Sequence, residues 1–329
     1  MISRRTALAL PLALLAEPAF IPPARAAARP LAVVMNSGEA SISVIDMRAR
    51  RVVQTLPTYR EPSHWCLTPD RKDLYVCDAS GNAIFAFNPQ TAAPLGHRRI
   101  ADPYQLAFTP DAKYLVVNAL RINHVDIYDG NTLALVKRFA PGSMPSHLDF
   151  SPDSRASFNS CQGSDTLVSF DLVNMTTRWK SRVGRTPAGV LWHNGRILVC
   201  LMGENCVLEV DPETGVPGQR VVTGRGAHNL FLSPDGGTLY VSNRIGGTLS
   251  ALDPATLKVR RTYTLPGGPD DMGIAPDGQL WIALRFAEAV AVMDPESGKY
   301  MTIPVGRSPH GIFLNTELAK PGKLTAERL

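Results

Sequence analysis

The sequence predicts an all-β fold in which seven four-stranded units close into a ring, a β-propeller, and three observations carry that expectation. With 26 Gly, 27 Pro and 19% charged residues, the composition favours short strands joined by turns over long helices, and 44% apolar residues supply a core. A Pro-Asp turn element recurs as TPDRKDLYVCD from Thr68, TPDAKYLVVNA from Thr109, SPDSRASFNSC from Ser151, SPDGGTLYVSN from Ser233 and APDGQLWIAL from Ala275. WHNGRILVCL from Trp192, with the tight-turn pair Asn194-Gly195, fills the one double gap, which makes six copies 41 or 42 residues apart. Independently, apolar runs end at Asp46, Asn88, Asp129, Asp171, Asp211, Asp253 and Asp294, 40 to 42 residues apart. A short carboxylate or carboxamide there accepts from the backbone two residues on and starts a turn, which is a structural reason for all seven.

Residues 1–28 read as a cleaved export signal. They have a basic start, an apolar run from Ala7 to Ala16, and small residues before a cut after Ala26 or Ala28. Ser3-Arg4-Arg5 resembles the twin-arginine class, with the general secretory route as its rival. The apolar run is interrupted by Pro11 and falls well short of the ~20 residues of a spanning helix, so no transmembrane anchor is expected after cleavage. The expected location is the periplasm. Loss of residues 1–26 removes three Arg and one Glu and lowers the formal charge from +5 to +3; the remaining basic residues are scattered, so no nucleic-acid partner is expected.

The propeller is expected over residues 31–315. One unit reads as HNLFL at 228–232, the Pro-Asp turn, TLYVS at 238–242, LSALD at 249–253 and VRRTYTL at 259–265. Units of this size cannot bury both faces alone, but a closed ring can. The seventh unit is split: SPHGIFLN from Ser308 joins LAVVMNS from Leu31, SISVID from Ser41 and RVVQTLP from Arg51, so strand pairing between the two ends closes the ring. Residues 316–329 read as a polar tail that adds nothing to the core.

The rhythm PDG, LYVSN, Gly, Val-x-Asp resembles the YVTN-repeat β-propeller family of exported bacterial proteins across nearly all of residues 31–315. That resemblance implies a seven-bladed ring and leaves the function open, since the family is defined by its blade. The fourth blade departs from the pattern by lacking Pro-Asp.

Five cysteines, Cys66, Cys77, Cys161, Cys200 and Cys206, allow two readings. Either Cys66–Cys77 and Cys200–Cys206 bridge neighbouring strands in an oxidising compartment, leaving Cys161 free, or all five are buried thiols.

Propellers place ligands at the mouth of the central channel, on the loops leading into each innermost strand. Counting back seven positions from each turn proline aligns those loops. The next two positions hold Ser63-His64, Tyr104-Gln105, Ser146-His147, Ala188-Gly189, His228-Asn229, Asp270-Asp271 and His310-Gly311. Four of the chain's seven histidines fall in these fourteen places, where chance would put fewer than one. Imidazoles and carboxylates that converge can ligate a metal, hold a haem axially or move protons, or simply satisfy wet loops. The loops between second and third strands are expected on the same face, and they offer Asn36, Asp78, Arg121, Asn243, Arg244 and Arg285; arginine beside the histidines suits an anion. Tyr104 and Trp65 offer a stacking wall, although Trp65 has a core position.

No Gly-x-Ser-x-Gly elbow, phosphate loop, His-Glu-x-x-His or Cys-x-x-Cys-His occurs, which excludes covalent c-type haem and leaves a metal or non-covalent haem open. The expectation is a monomeric platform that binds a small molecule or an exported protein through the histidine-bearing mouth. The alternatives are a cofactor- or metal-dependent enzyme and a cell-surface structural or adhesive protein. SPHGIF and DGQLWIA are slightly similar to the virginiamycin B lyase family, and the haem-carrying propeller of periplasmic nitrite reductase is a similar architecture.

Overall fold

A computed structural model describes residues 29–319. The expected export signal and residues 320–329 of the expected tail lie outside them. The described residues form seven antiparallel four-stranded sheets, each running from the channel outward. Blades one to seven are named in order of their innermost strands: Pro62–Leu67, Pro103–Phe108, Pro145–Phe150, Pro187–His193, Ala227–Leu232, Pro269–Ile274 and Pro309–Leu314. Each innermost strand packs on the next, and the seventh on the first. Closure falls where expected, with Ala32 opposite Leu314, Val33 opposite Phe313 and Val34 opposite Ile312.

Burial explains the strand sequences. In the second and third strands of a blade both faces meet a neighbouring blade, so Leu31–Asn36 and Ala289–Met293 are buried at every residue and show no polar alternation. The outermost strand Pro94–Arg99 is exposed throughout and correspondingly polar. The core is divided into seven apolar clusters, each shared by two adjacent blades. Phe139 of blade two stacks on Phe170 of blade three at 4.1 Å, and Trp65 of blade one meets Phe313 of blade seven edge-on at 4.9 Å. Removing each such ring from water contributes roughly 1.5–3 kcal/mol, so the ring is held by interfaces between blades rather than by any blade alone.

Both repeated polar signals have the roles their chemistry suggests. Thr68 Oγ1 donates to Asp70 Oδ1 at 2.8 Å and accepts from the Asp73 amide at 3.0 Å, and Thr109, Ser151 and Ser233 repeat the arrangement. The strand-end residues accept from backbone amides two and three residues on, as Asp211 does from Glu213 at 2.9 Å and Thr214 at 2.8 Å.

One expectation is corrected, and the two readings of the cysteines are decided. The start of the tail does add to the core: the 3-10 turn Asn315–Ala319 runs from the propeller into it, and Leu318 packs between blades seven and one. The cysteines are five buried free thiols. Tyr75, not Cys77, faces Cys66, while Cys200 and Cys206 lie on opposite faces of blade four, one in the interface with blade five and the other in that with blade three.

Candidate functional site

All seven innermost strands begin with a one-residue bulge. Between Pro62 and Trp65, for example, three steps oppose the two from Asp78 to Val76, and every other blade has the same extra residue just after its first strand position. A bulge breaks the two-residue alternation, so a side chain at either of the two aligned positions can face the channel. Position one supplies His228, His310, Asp270 and Tyr104; position two supplies His64 and His147. The loops after the second strands open at the same end, because the amides of Arg244, Arg285 and Gln162 bond the carbonyls of Gly226, Gly268 and Met144 in the loops leading inward.

The imidazoles meet. Ring centroids of His64 and His147 lie 5.1 Å apart, His147 and His228 5.1 Å, His228 and His310 6.3 Å, and His310 and His64 4.5 Å, with Tyr104 4.8 Å from His64. All four are 1–5% exposed. Burial outweighs every other influence and keeps them neutral: His64 is pulled down to about 3, His228 to about 4, and His147 and His310 well below the ordinary histidine value.

Their hydrogen bonds separate them into committed and free rings. His64 Nδ1 lies 2.9 Å from the Tyr104 carbonyl, so this nitrogen carries the proton and Nε2 the lone pair. His228 Nε2 accepts from Arg244, while its Nδ1 lies 2.8 Å from Asp270 Oδ1 without the geometry of a hydrogen bond. By contrast, Nε2 of His147 and both ring nitrogens of His310 are buried without a hydrogen-bond partner; His310 Nε2 stands 3.8 Å from Asp270 Oδ2, too far to bond.

Asp270 is the charged centre. It is fully buried, receives Arg244 Nη2 at 2.6 Å and Arg285 Nη1 at 3.1 Å, and is held ionised well below the carboxylate range by the Arg244 guanidinium, against the opposing effect of burial. Two guanidiniums share this one carboxylate. Arg121, at the equivalent turn of blade two, is instead neutralised by Asp102 at 2.9 Å and by Glu61.

The remaining predicted residues turn out to hold the scaffold. Gln105 Oε1 accepts from the Leu148 amide of blade three at 2.7 Å, and Asp271 accepts from Ile312 of blade seven at 3.1 Å and from Met272 at 2.9 Å; each bridges innermost strands. Asn229 accepts from Leu230 at 3.0 Å. Burial pushes Asp271 up to about 7, with Asp270 adding to the rise. Asn36 and Asn243 tie strand hydroxyls, Asp78 accepts four backbone amides, and Trp65 donates to the Ile312 carbonyl from within the core. Two residues not singled out in the sequence join the mouth. Ile245 and Phe286, 55% and 60% exposed, directly follow Arg244 and Arg285 in their turns. An Arg-apolar pair at one aligned place in two adjacent blades was the signal that would have found them.

A metal fits poorly. His228, Asp270 and His310 offer donor atoms within 4.8 Å of one another, but His228 Nε2 already accepts from Arg244 and Asp270 carries two guanidiniums. At 4 Å and an effective dielectric near 20, two like unit charges repel by ~4 kcal/mol, and a divalent ion would feel about twice that from each arginine.

The fold and site define a seven-bladed propeller whose channel mouth is lined by neutral imidazoles beside a shared arginine–aspartate cluster. The chain belongs to the YNCE-like β-propeller family, whose model matches residues 7–319. No curated protein matches its sequence. Among solved structures it is similar to one described as dihydro-heme d1 dehydrogenase NirN in complex with DHE, with a TM-score of 0.66, 15% identity, and coverage of 90% of this chain and 77% of that one. A functionally unknown protein from Desulfotomaculum acetoxidans DSM 771 gives 0.71 at 14% identity, covering 86% and 98%. Hydrazine synthase of Kuenenia stuttgartiensis gives 0.62 at 19%, covering 76% and 88%. At such identities the likeness is one of fold.

Proposed function

We propose that this protein is a periplasmic binding platform that holds a small ligand at the channel mouth. The observation that carries this is the set of buried, unpartnered ring nitrogens on His147 and His310, set among imidazoles that burial keeps neutral. Leaving a buried polar group without a partner costs roughly 1–3 kcal/mol, and a bound ligand that bonds to it recovers that cost. The rigid ring supplies preorganisation, since the imidazoles come from four different blades and none moves without its interface. A second reading, a non-covalent haem-type cofactor held by one of these imidazoles, is favoured by the free Nε2 of His147 and by the likeness in fold to NirN, whose structure is described with DHE.

The test is a native mass spectrum with a visible absorption spectrum, on protein taken from the periplasm of its own host. A mass excess lost in His147→Ala or His310→Ala supports the platform, and visible absorption lost with it supports the cofactor reading. A bare polypeptide mass with no chromophore, and no response to added small molecules, overturns the proposal.

A further inference from the structure

Resting on that reading, we infer that the ligand is an organic carboxylate with an apolar body, its anionic end on Arg244 and Arg285 and its apolar part against Ile245 and Phe286. Charge is the first argument. Two guanidiniums and one carboxylate leave this cluster one net positive charge, whereas Arg121, given two carboxylates, has none to spare. Asp271, the nearest other acid in sequence, turns both oxygens to backbone amides and not toward the arginines.

Donor geometry is the second. Arg244 Nε is buried without a partner, and Arg285 commits one guanidinium nitrogen to Asp270. The side chains of Arg244 and Arg285 are 15% and 22% exposed, so each is anchored at one edge and reachable at the other. Arg285, held through Nη1, keeps its Nε–Nη2 edge to meet a carboxylate with two parallel N–H donors, while Arg244, whose Nη2 serves both Asp270 and His228, adds single donors. The neutral imidazoles of His147 and His310 lie in the same ring and add donors without adding charge.

The apolar wall is the third. Phe286 lies over Gly268 and Ile245 over Gly226, where an added Cβ would stand 2.4 Å and 2.5 Å from their side chains. Those two glycines, at φ of 75° and 69°, let the walls sit close above the loops that lead to Asp270 and His228. Each wall residue remains more than half exposed, so its outer face is free for an apolar ligand body.

The experiment uses two probes with one apolar body and opposite charge, 4-phenylbutyrate and 4-phenylbutylamine, titrated calorimetrically into the full protein, with zinc as a third probe. The carboxylate is expected to bind saturably and at least about tenfold more tightly than the amine, a difference of ~1.4 kcal/mol. Arg285→Gln should weaken the carboxylate by a similar factor. Because that change touches the buried Asp270, Phe286→Asp, at an exposed position, serves as the second variant: it should weaken the carboxylate and leave the amine no weaker. Equal or tighter binding of the amine, or carboxylate binding that neither variant changes, overturns the assignment. Zinc binding abolished by His310→Ala, with no carboxylate binding, overturns the carboxylate and leaves the platform standing. Silence from all three probes at ~10 mM overturns the carboxylate assignment, and a bare native mass beside it overturns the platform as well.

Discussion

Acidification from about pH 7 to about pH 5 should destabilise this protein by a route that can be traced residue by residue. An imidazole ordinarily titrates near 6.5, and burial lowers His64 to about 3 and His228 to about 4 and drives His147 and His310 well down too. Over this range the unfolded chain takes up a proton at each of the four and the folded chain does not, so stability rises with pH and is lost on acidification. At about 1.4 kcal/mol per unit of difference, His64 and His228 each cost roughly 2 kcal/mol by pH 5, and His147 and His310 act in the same direction. Two buried carboxyls act in the opposite direction. Asp271, pushed up to about 7, and Asp149, pushed well above the carboxylate range by burial, hold protons when folded that the unfolded chain has released. Asp271 returns roughly 2 kcal/mol and Asp149 acts in the same direction, so four imidazoles oppose two carboxyls and the balance is a net loss on acidification. Surface acids held low, such as Asp253 at about 2, lose their contribution as pH falls through that value and stay out of this window. Urea unfolding followed by tryptophan fluorescence at pH 7, 6 and 5 measures the loss, and His147→Gln should make it smaller. A stability that is flat or rising toward pH 5, or a variant that tracks the parent, would refute the account of buried neutral imidazoles.

Three further outcomes are expected. Asp270→Asn leaves two guanidiniums sharing a neutral amide and should lower unfolding free energy by roughly 3–5 kcal/mol, measured by chemical denaturation; a loss below about 1 kcal/mol would mean the arginines find other partners. Phe313→Ala empties a fully buried ring at the closing seam and should cost roughly 3–5 kcal/mol, seen as a lower urea midpoint with the mouth-binding signal weakened in step. All five thiols should resist a maleimide in the native state, since they are buried and their thiolates are disfavoured, and all should react after denaturation without reductant; protection that persists in denaturant would reveal a disulfide.

The blade was legible in the sequence because its signals are local. A Ser or Thr before Pro-Asp and an acid at a strand end bond to amides within five residues, so their spacing reports the repeat directly. The convergence of His64, His147, His228 and His310 was legible for a related reason: counting back from a turn that recurs aligns the channel rim. What was not legible depends on partners from other blades. Gln105 and Asp271 look like mouth residues until Leu148 and Ile312 are seen to donate to them. Arg121 and Arg285 occupy equivalent turns, yet acids 19 and 60 residues away quench the first. The cysteine pairs failed because register decides which side chains face each other, and the register set by these turns puts Tyr75 opposite Cys66 and Val207 opposite Cys200.

The split blade has a consequence for timing. His310 sits on the strand that pairs with Leu31–Asn36, so the last imidazole joins the mouth when segments nearly 280 residues apart find each other. Such a long-range pairing forms late in folding. A chain with six finished blades therefore has His64, His147 and His228 but no fourth wall to its channel mouth. Under the proposed binding role, capture of a ligand would then report that the ring has shut, and an open-ended chain would be passed over.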